Sequence, residues 1–418
     1  MRFIYILFIY LFSPLILFFL YRPKQGKLGF EHRWKEHLGF LPPLKQQNPV
    51  WFHAVSVGET LAITPLIQKF CRQNPDVPVL ITTTTRTGAD QAAKIGPQVE
   101  HRYAPLDYPH VVSKFLQSVQ PRSLVIMETE LWPNLLHQCH QQQIPVTILN
   151  ARLSERSCQR YQRVRCFFSG MMKGVNFVLC QHQDDADRFR RLGLSPEQLR
   201  VTGSVKFDIH LNQQQIEIGA LWKQAVGTRP IWIAASTHKG EDELILKAHH
   251  KLLKHHPDAL LVLVPRHPER FDSVADLVSA NHLVLQRRST NISIKSSDQV
   301  YLGDSMGEMA SYFQMADIAF MGGSFVPVGG HNLLEPAALA KPTLIGPHYF
   351  NFSDITRQLV TKHACMIVEN ENDLADKLLE IFNNQELQHT MGMAGFDVVT
   401  ANQGALEKSL HVINTLTQ

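Results

Sequence analysis

Short apolar runs alternate with helix-length amphipathic stretches along most of this chain. In the first half, the apolar runs that predict buried strands are residues 50–53, 79–83, 124–127, 146–149, 175–180 and 201–205. The helical patterns between them are residues 59–72, 87–95, 109–119, 131–142 and 183–192. Such alternation is typical of a parallel sheet with helices on both faces, so the first half predicts a doubly wound α/β domain.

The alternation resumes after a polar interruption at residues 210–227, which are rich in glutamine and which we interpret as a linker. The later predicted strands are residues 231–235, 260–264, 300–302, 318–321 and 343–345, and the later predicted helices are 241–256, 307–315, 333–340 and 373–382. We therefore predict two doubly wound, Rossmann-like domains, at 23–209 and 228–418. Open sheets of this kind bind ligands at the carboxyl ends of their strands, and we expect the two domains to face a cleft there.

The N-terminus carries a different pattern. Residues 3–21 have no charge and are almost wholly apolar, and at helical rise they are about long enough to cross a bilayer. We predict a membrane anchor over residues 1–22, either single-pass or half-inserted (monotopic). A cleaved signal peptide is the rival interpretation, although no small-x-small cleavage site precedes Arg22. More basic residues follow the apolar run than precede it, which places the remainder of the chain in the cytoplasm.

Composition narrows the function classes. The chain has 418 residues, 44% of them hydrophobic and 19% charged, which is globular and suits two domains. The net charge of +4 comes without a recognition motif for nucleic acid, so we expect none as a partner. The six cysteines lack any C-x-x-C spacing, which favours a reducing compartment. The D-x-D sequence at 185–187 lies in a predicted helix, and we expect no metal and no cofactor.

Polar clusters follow the apolar runs of the first domain. Glu59 opens a predicted helix in the segment SVGE, where it can act as a general base or simply interact with the helix dipole. The dipole alone would lower the pKa of Glu59, so we expect bound substrate to bury the carboxylate and thereby offset this lowering. Glu128 and Glu130 follow a predicted strand two residues apart, so that in an extended chain they face the same side; helix capping near Pro133 is the alternative.

Lys206 stands near the end of the first domain in the segment GSVKFD. It can pair with a carboxylate or a phosphate, or with Asp208 in a structural role.

The second domain contains the features expected of an anion site. A glycine-rich segment at 322–330 follows a predicted strand and precedes His331 and a predicted helix that contains Glu335. Glycine lets the backbone approach a phosphate closely, although an ordinary strand–turn–helix connection has the same appearance. Arg266 follows another strand, and its planar guanidinium suits a phosphate.

Six motifs in sequence resemble those of one enzyme family. They are SVGET at 56–60, ETELWPN at 128–134, NARLS at 150–154, GSVKFD at 203–208, PRHPER at 265–270 and GGHNLLEP at 329–336. In these motifs, and over its whole length, the chain resembles the 3-deoxy-D-manno-octulosonic acid (Kdo) transferases of Gram-negative bacteria.

The resemblance implies a GT-B fold and an inverting, metal-independent transfer of Kdo from CMP-Kdo to the lipid A precursor (lipid IVA) in lipopolysaccharide biosynthesis. It implies that 23–209 binds the acceptor, that 228–418 binds the CMP-sugar, and that both lie on the cytoplasmic face of the inner membrane. Glu59 matches the catalytic base, and Glu128 and Lys206 match groups that stabilise the transition state, with Glu130 as a second candidate. The matching CMP contacts are Pro265, Arg266, Gly307, Glu308, Met309, Asn332, Leu333, Leu334 and Glu335.

Two rival functions remain open at this stage. One is a GT-B enzyme that uses a UDP-sugar on another lipid, and the other is a non-catalytic, membrane-anchored scaffold. The sequence leaves undecided the number of Kdo residues added, the acylation of the acceptor, the oligomeric state and any partner enzyme.

Overall fold

The chain folds into two compact α/β units. The structure is a computed structural model and describes residues 2–15, 18, 33–209 and 211–417. The first unit contains the residues up to Asp208 together with Gln403–Gln418, and the second unit contains Ile209–Asn402. The division differs from the predicted one at the C-terminus, because the last helix belongs to the first unit.

The first unit is built on seven parallel strands. They are β1 (Val50–His53), β2 (Val79–Thr83), β3 (Val99–Tyr103), β4 (Ser123–Met127), β5 (Val146–Ala151), β6 (Val175–Cys180) and β7 (Leu199–Val201). The helices are α1 (Arg2–Leu11), α2 (Val57–Gln73), α3 (Arg86–Ala92), α4 (Pro109–Val119), α5 (Pro133–Gln141), α6 (Glu155–Gln162), α7 (Arg165–Met172), α8 (Gln183–Arg191) and α17 (Ala405–Thr417).

The strand order of this sheet is β3-β2-β1-β4-β5-β6-β7. The chain therefore winds outward from β1 in one direction and from β4 in the other, and the switch point lies between β1 and β4. β1, β2 and β4 are buried along their whole length, which explains why they appear in the sequence as unbroken apolar runs. Val112, Phe115, Leu116 and Val119 on α4 recur at helical spacing and pack into the same core.

The second unit repeats this architecture. Its strands are β8 (Ile231–Thr237), β9 (Leu260–Pro265), β10 (Leu285–Arg287), β11 (Val300–Leu302), β12 (Ile318–Met321), β13 (Thr343–Ile345) and β14 (Cys365–Ile367). Its helices are α9 (Gln213–Val226), α10 (Asp242–Leu253), α11 (Phe271–Ala280), α12 (Met309–Met315), α13 (Leu334–Ala338), α14 (Ser353–Thr361), α15 (Glu371–Phe382) and α16 (Gln385–Asn402). The order β10-β11-β9-β8-β12-β13-β14 puts its switch point between β8 and β12.

The strands that the sequence missed are those with weak patterns. β3, β10 and β14 were not predicted, since β3 contains Glu100, His101 and Arg102 and the other two are only three residues long. The strand predicted at 201–205 is displaced, because β7 ends at Val201 and a 3₁₀ turn occupies Val205–Phe207.

The segment interpreted as a linker contains helix α9. Its Gly219 lies against Ser311 of α12 so closely that a Cβ atom would overlap the Ser311 carbonyl oxygen. The Ser311 hydroxyl also donates to the Gln215 carbonyl at 2.8 Å. Residues 211–227 therefore belong to the packed second unit. Composition alone could not show this, because α9 has a weakly amphipathic sequence.

The N-terminal prediction lies partly outside the described residues. Helix α1 has exposed apolar side chains, and the Tyr5 hydroxyl donates to the Asp107 carboxylate at 2.9 Å. Among the described residues, no helix reaches the length and hydropathy that a bilayer span requires. Arg22, Lys24 and Lys27 lie outside the described ranges, and Arg33 forms an ion pair with Glu36 at 2.7 Å. The membrane anchor stays a prediction.

Candidate active site

Glu59 lies in the first turn of α2, directly after β1 at the switch point of the first sheet. Ser56 caps this helix: its Oγ accepts from the Glu59 N–H at 3.2 Å and donates to the Glu59 carboxylate at 2.8 Å. The Val55 N–H donates to the other carboxylate oxygen at 2.8 Å. The arrangement differs from a capping box, because the backbone donor is Val55, the residue before the N-cap. Together these hydrogen bonds fix the rotamer of the carboxylate.

The pKa of Glu59 is raised above its ordinary value. Burial is the largest cause and the charges of Glu128 and Glu130 add to it, while the hydrogen bonds from Ser56 and Val55 act in the opposite direction. We expected the helix dipole to lower this pKa until substrate bound, and that expectation was wrong because the protein itself already buries the group. A carboxylate with a raised pKa is a better proton acceptor near neutral pH.

Glu128 and Lys206 form an ion pair beside this carboxylate. The Lys206 Nζ lies 2.8 Å from the Glu128 Oε1, and both side chains remain partly exposed. Glu128 has a φ of 59°, a left-handed conformation that is uncommon for glutamate. The two acidic residues therefore reach the vicinity of Glu59 from a turn after β4, and the predicted extended chain at this point was wrong.

The alternative roles for Glu128, Glu130 and Lys206 were helix capping near Pro133 and an ion pair with Asp208, and the structure shows neither. Asp107, not Glu128 or Glu130, caps α5 by accepting from the N–H groups of Asn134 and Leu135 at 3.0 and 2.8 Å. Asp208 does not pair with Lys206; it accepts from the Gly404 N–H at 2.6 Å and so holds the start of α17. Glu128, Glu130 and Lys206 thus take no part in these two structural contacts.

His53 and Asn150 are two further polar residues near the strand ends of this sheet, and neither was among the predicted site residues. The Trp132 indole donates to Glu130 at 3.2 Å, and the ring of the buried His53 lies edge-on to that indole, with centroids 4.8 Å apart. Asn150 is the buried, next-to-last residue of β5 and has a φ of 56°, and within the described part of the chain its side-chain amide has no hydrogen-bond partner. A buried polar group left unsatisfied in a native fold is typical of functional sites. The only sequence signal was that both residues follow apolar runs.

In the second unit, three histidines surround the loop after β12. The Nε2 atoms of His238 and His331 lie 2.9 Å apart, and the His267 ring packs edge-on against His238. Burial, His238, Arg266 and His267 together lower the pKa of His331 to about 4, so this ring is neutral near pH 7. Gly323, with a φ of 67°, leaves room for both imidazoles, because any Cβ there would lie 3.2 Å from the His331 ring.

The predicted CMP contacts lie at or after the ends of three of the second unit's strands, β9, β11 and β12. Pro265 is buried at the end of β9, and the exposed Arg266 is fixed by its N–H, which donates to the Thr237 carbonyl at 3.0 Å. After β11, Glu308 forms an ion pair with Arg288 at 2.9 Å. The residue before it, Gly307, has a φ of 82°, and the residue after it, Met309, is the first of α12.

The GGHNLLEP segment completes this set. The Asn332 side chain accepts from the Leu334 N–H at 3.1 Å, and Glu335 lies in the first turn of α13 with its pKa raised mainly by burial. The side chains of Leu333 and Leu334 are themselves buried, so only their backbone atoms can face a ligand. α13 has five residues and is shorter than the predicted helix.

The two sheets thus carry complementary chemistry. The first presents a buried carboxylate of raised pKa beside an ion pair, which suits removal of a proton from a hydroxyl group. The second presents an arginine and imidazoles beside a glycine-rich loop, which suits an anion.

Comparison with known proteins identifies the family. The sequence model of the 3-deoxy-D-manno-octulosonic-acid transferase (kdotransferase) family matches residues 32–209, and that of glycosyl transferases group 1 matches residues 233–398. A 3-deoxy-D-manno-octulosonic acid transferase from Haemophilus influenzae is 41% identical over 420 residues, which cover 99% of this chain and 98% of that protein. The chain belongs to the 3-deoxy-D-manno-octulosonic acid transferase family.

The chain is also similar to three other proteins. A Kdo transferase from Bordetella pertussis is 35% identical, covering 90% of this chain and 89% of that protein. UDP-GlcNAc 2-epimerase from Neisseria meningitidis, solved with UDP-GlcNAc, is 14% identical with a TM-score of 0.54, over 88% of this chain and all of that one. The C-terminal CMP-Kdo binding domain of WaaA from Acinetobacter baumannii is 35% identical with a TM-score of 0.44, over 45% of this chain and 99% of that domain.

Membership of the Kdo transferase family makes this chain a glycosyltransferase. The predicted GT-B class, with two doubly wound sheets, is confirmed by the group 1 match and by the two seven-stranded parallel sheets.

Proposed function

We propose that this Kdo transferase family member moves Kdo from CMP-Kdo to a lipid A precursor, with inversion and without a metal, at the cytoplasmic face of the inner membrane. The observation that carries the proposal is Glu59, a buried carboxylate of raised pKa fixed at the switch point of the first sheet. Its relatives are named as transferases of this sugar along nearly the whole length of the chain.

In the proposed reaction, a Glu59 oxygen takes the proton from a primary hydroxyl of the acceptor. The hydroxyl oxygen then forms a bond to the anomeric carbon of Kdo, and the bond from that carbon to the phosphate of CMP breaks. Attack on the face opposite the leaving group inverts the configuration. Glu128 supports the positive charge that develops on the sugar, and Lys206 faces the Kdo carboxylate.

The leaving group is proposed to bind the second unit. CMP carries one phosphate, and Arg266 supplies a permanent positive charge for it. Asn332 and Glu335 offer an amide and a carboxylate to the ribose and base. A cation from the protein thus replaces the divalent ion that other transferases use.

The deciding experiment uses the purified full-length chain in detergent, with CMP-Kdo and tetraacylated lipid A precursor. Mass spectrometry should detect an acceptor heavier by one or more Kdo residues, NMR of the product should show inversion, and the yield should survive EDTA. UDP-sugars in place of CMP-Kdo test the rival transferase. Product formed with a UDP-sugar but not with CMP-Kdo contradicts the proposal. Binding of the lipid without any turnover contradicts it as well.

A further inference from the structure

Glu241 binds more backbone groups than any side chain predicted from the sequence to form the site. It is fully buried and directly precedes α10. One carboxylate oxygen accepts from the N–H groups of His238 at 2.8 Å and Gly323 at 2.6 Å, and the other accepts from those of Ser324 at 3.0 Å and Phe325 at 2.9 Å. A single anion therefore joins the loop after β8 to the loop after β12.

The contrast with Glu59 excludes a catalytic role for Glu241. Both residues stand at the start of the helix that follows the first strand of their sheet, and both accept from a backbone N–H three or four residues earlier. Glu59 accepts from that one backbone N–H and from the Ser56 hydroxyl and has charged neighbours, whereas all four acceptor positions of Glu241 are occupied by backbone amides. With these positions filled and no exposure, Glu241 has no site left to receive a proton from a substrate.

The hydrogen bonds continue from Glu241 to the candidate donor site. Gly323, held by Glu241, accepts through its own carbonyl from the N–H groups of Gly329 and Gly330 at 3.1 and 2.8 Å. His331 follows directly and contacts His238, whose N–H Glu241 also holds. The conformation of the glycine-rich loop and the pairing of the two imidazoles thus depend on the same buried carboxylate.

The next residue fixes the third loop of this region. Asp242 accepts from the Thr237 hydroxyl at 2.6 Å and forms an ion pair with Arg270, and Arg270 donates to the Thr237 carbonyl at 2.7 Å. The loop after β9, which carries Arg266, is thereby joined to the loop after β8.

We infer that Glu241 is a positioning residue of the nucleotide-sugar site, which its negative charge assembles by gathering four amides from two loops. The inference rests on the proposed function, because it takes the ligand of these loops to be the CMP-linked donor. An amide at this position has only one acceptor oxygen, and its NH₂ group would face two backbone N–H groups.

The test replaces Glu241 by Gln and by Asp, with Glu243→Gln as the matched control. Glu243 is an exposed carboxylate in the same turn of α10. Glu241→Gln should raise the KM for CMP-Kdo and the Kd for CMP, measured by titration calorimetry, about tenfold each, because two buried amides lose their acceptor. The KM for the lipid acceptor should stay unchanged. Glu241→Asp keeps the charge with a shorter reach and should recover part of the loss, and Glu243→Gln should behave as the wild type.

A merely structural role gives a different result. In that case Glu241→Gln lowers the Tm while the folded fraction binds CMP and CMP-Kdo as the wild type does, and the inference is overturned. If Glu241→Gln does not fold, Glu241→Asp decides: a donor KM equal to that of the wild type overturns the inference, and a rise of about threefold supports it. A wild-type chain that neither binds CMP nor uses CMP-Kdo contradicts the proposed function instead, so the two failures are distinguishable.

Discussion

At the scale of single residues, the environment of Glu59 is what distinguishes it from the other carboxylates of the first sheet. Asp107 and Asp208 are occupied in holding helix ends, and Glu128 is paired with Lys206. Glu59 combines burial with a fixed rotamer and acidic neighbours, which together favour its proposed role as the proton acceptor.

Glu59→Gln should abolish most of the transfer while leaving nucleotide binding intact. The amide keeps the shape of the side chain but cannot accept the hydroxyl proton, so kcat should fall about 10²–10⁴-fold. Rates with CMP-Kdo and calorimetry with CMP check this, and the exposed Glu197→Gln serves as the control. Full activity in Glu59→Gln would remove this residue from the mechanism.

The pH dependence should respond to the neighbours of Glu59. Its base form is lost as the pH falls through its raised pKa, and the Glu130 charge contributes to that raise. Glu130→Gln should therefore move the acid limb of kcat/KM to lower pH, even if the maximal rate changes. An acid limb at the same position in Glu130→Gln and wild type would show that another group controls it.

At the scale of elements, α9 shows why a polar segment in a sequence need not be a linker. Its Gly219 is the point of closest approach to α12, and an added methyl group would meet the Ser311 carbonyl. A helix with a weak apolar stripe is kept in place here by close backbone contact and by the Ser311 hydrogen bond.

Gly219→Ala should therefore destabilise the second unit, although alanine is the better helix former. The overlap with α12 should cost about 1–3 kcal/mol, measured by urea denaturation. Gly170→Ala in α7 is the matched control, because no atom lies within 4 Å of the added Cβ. That control should be neutral or stabilising by about 0.5–1 kcal/mol, owing to helix propensity. Equal effects at the two positions would contradict the close packing of α9.

At the scale of the whole molecule, both units bury a neutral histidine in their core. His53 in the first unit and His249 in the second are fully buried, and burial lowers their pKa values to about 4 and about 3. Both values lie below the ordinary pKa of 6.5. At a pH between the folded-state pKa and 6.5, the unfolded chain therefore binds protons that the folded chain does not.

Stability should therefore fall as the pH falls below about 6.5. Going from about pH 7 to about pH 5 should lower the free energy of unfolding by about 1–2 kcal/mol for each of these histidines. Urea denaturation at the two pH values checks this, and His53→Asn or His249→Gln should reduce the loss in the unit that carries the change. Equal stability at both pH values would contradict neutral burial.

Local patterns along the chain specified the class of the fold and most of the strand-end residues. Apolar runs such as 79–83 and 260–264 are typical of strands buried on both faces of a parallel sheet, and this signal is local. The sequence also predicted that Glu59, Glu128 and Arg266 follow strands. Residues in such positions lie at one edge of their own sheet, because the parallel strands of a sheet all end at the same edge. The family motifs indicated the enzyme class without any knowledge of tertiary contacts, because each motif is contiguous in the sequence.

The tertiary structure decided what depends on residues far apart in the chain. It assigned α17 to the first unit, paired Lys206 with Glu128 instead of Asp208, and raised the pKa of Glu59 through burial. It also revealed Glu241, whose sequence signal is only a glutamate before a helix, yet three of whose four hydrogen-bond partners lie more than eighty residues ahead. Burial, pKa and hydrogen bonding are set by the neighbours in space, and the order of residues along the chain does not specify those neighbours.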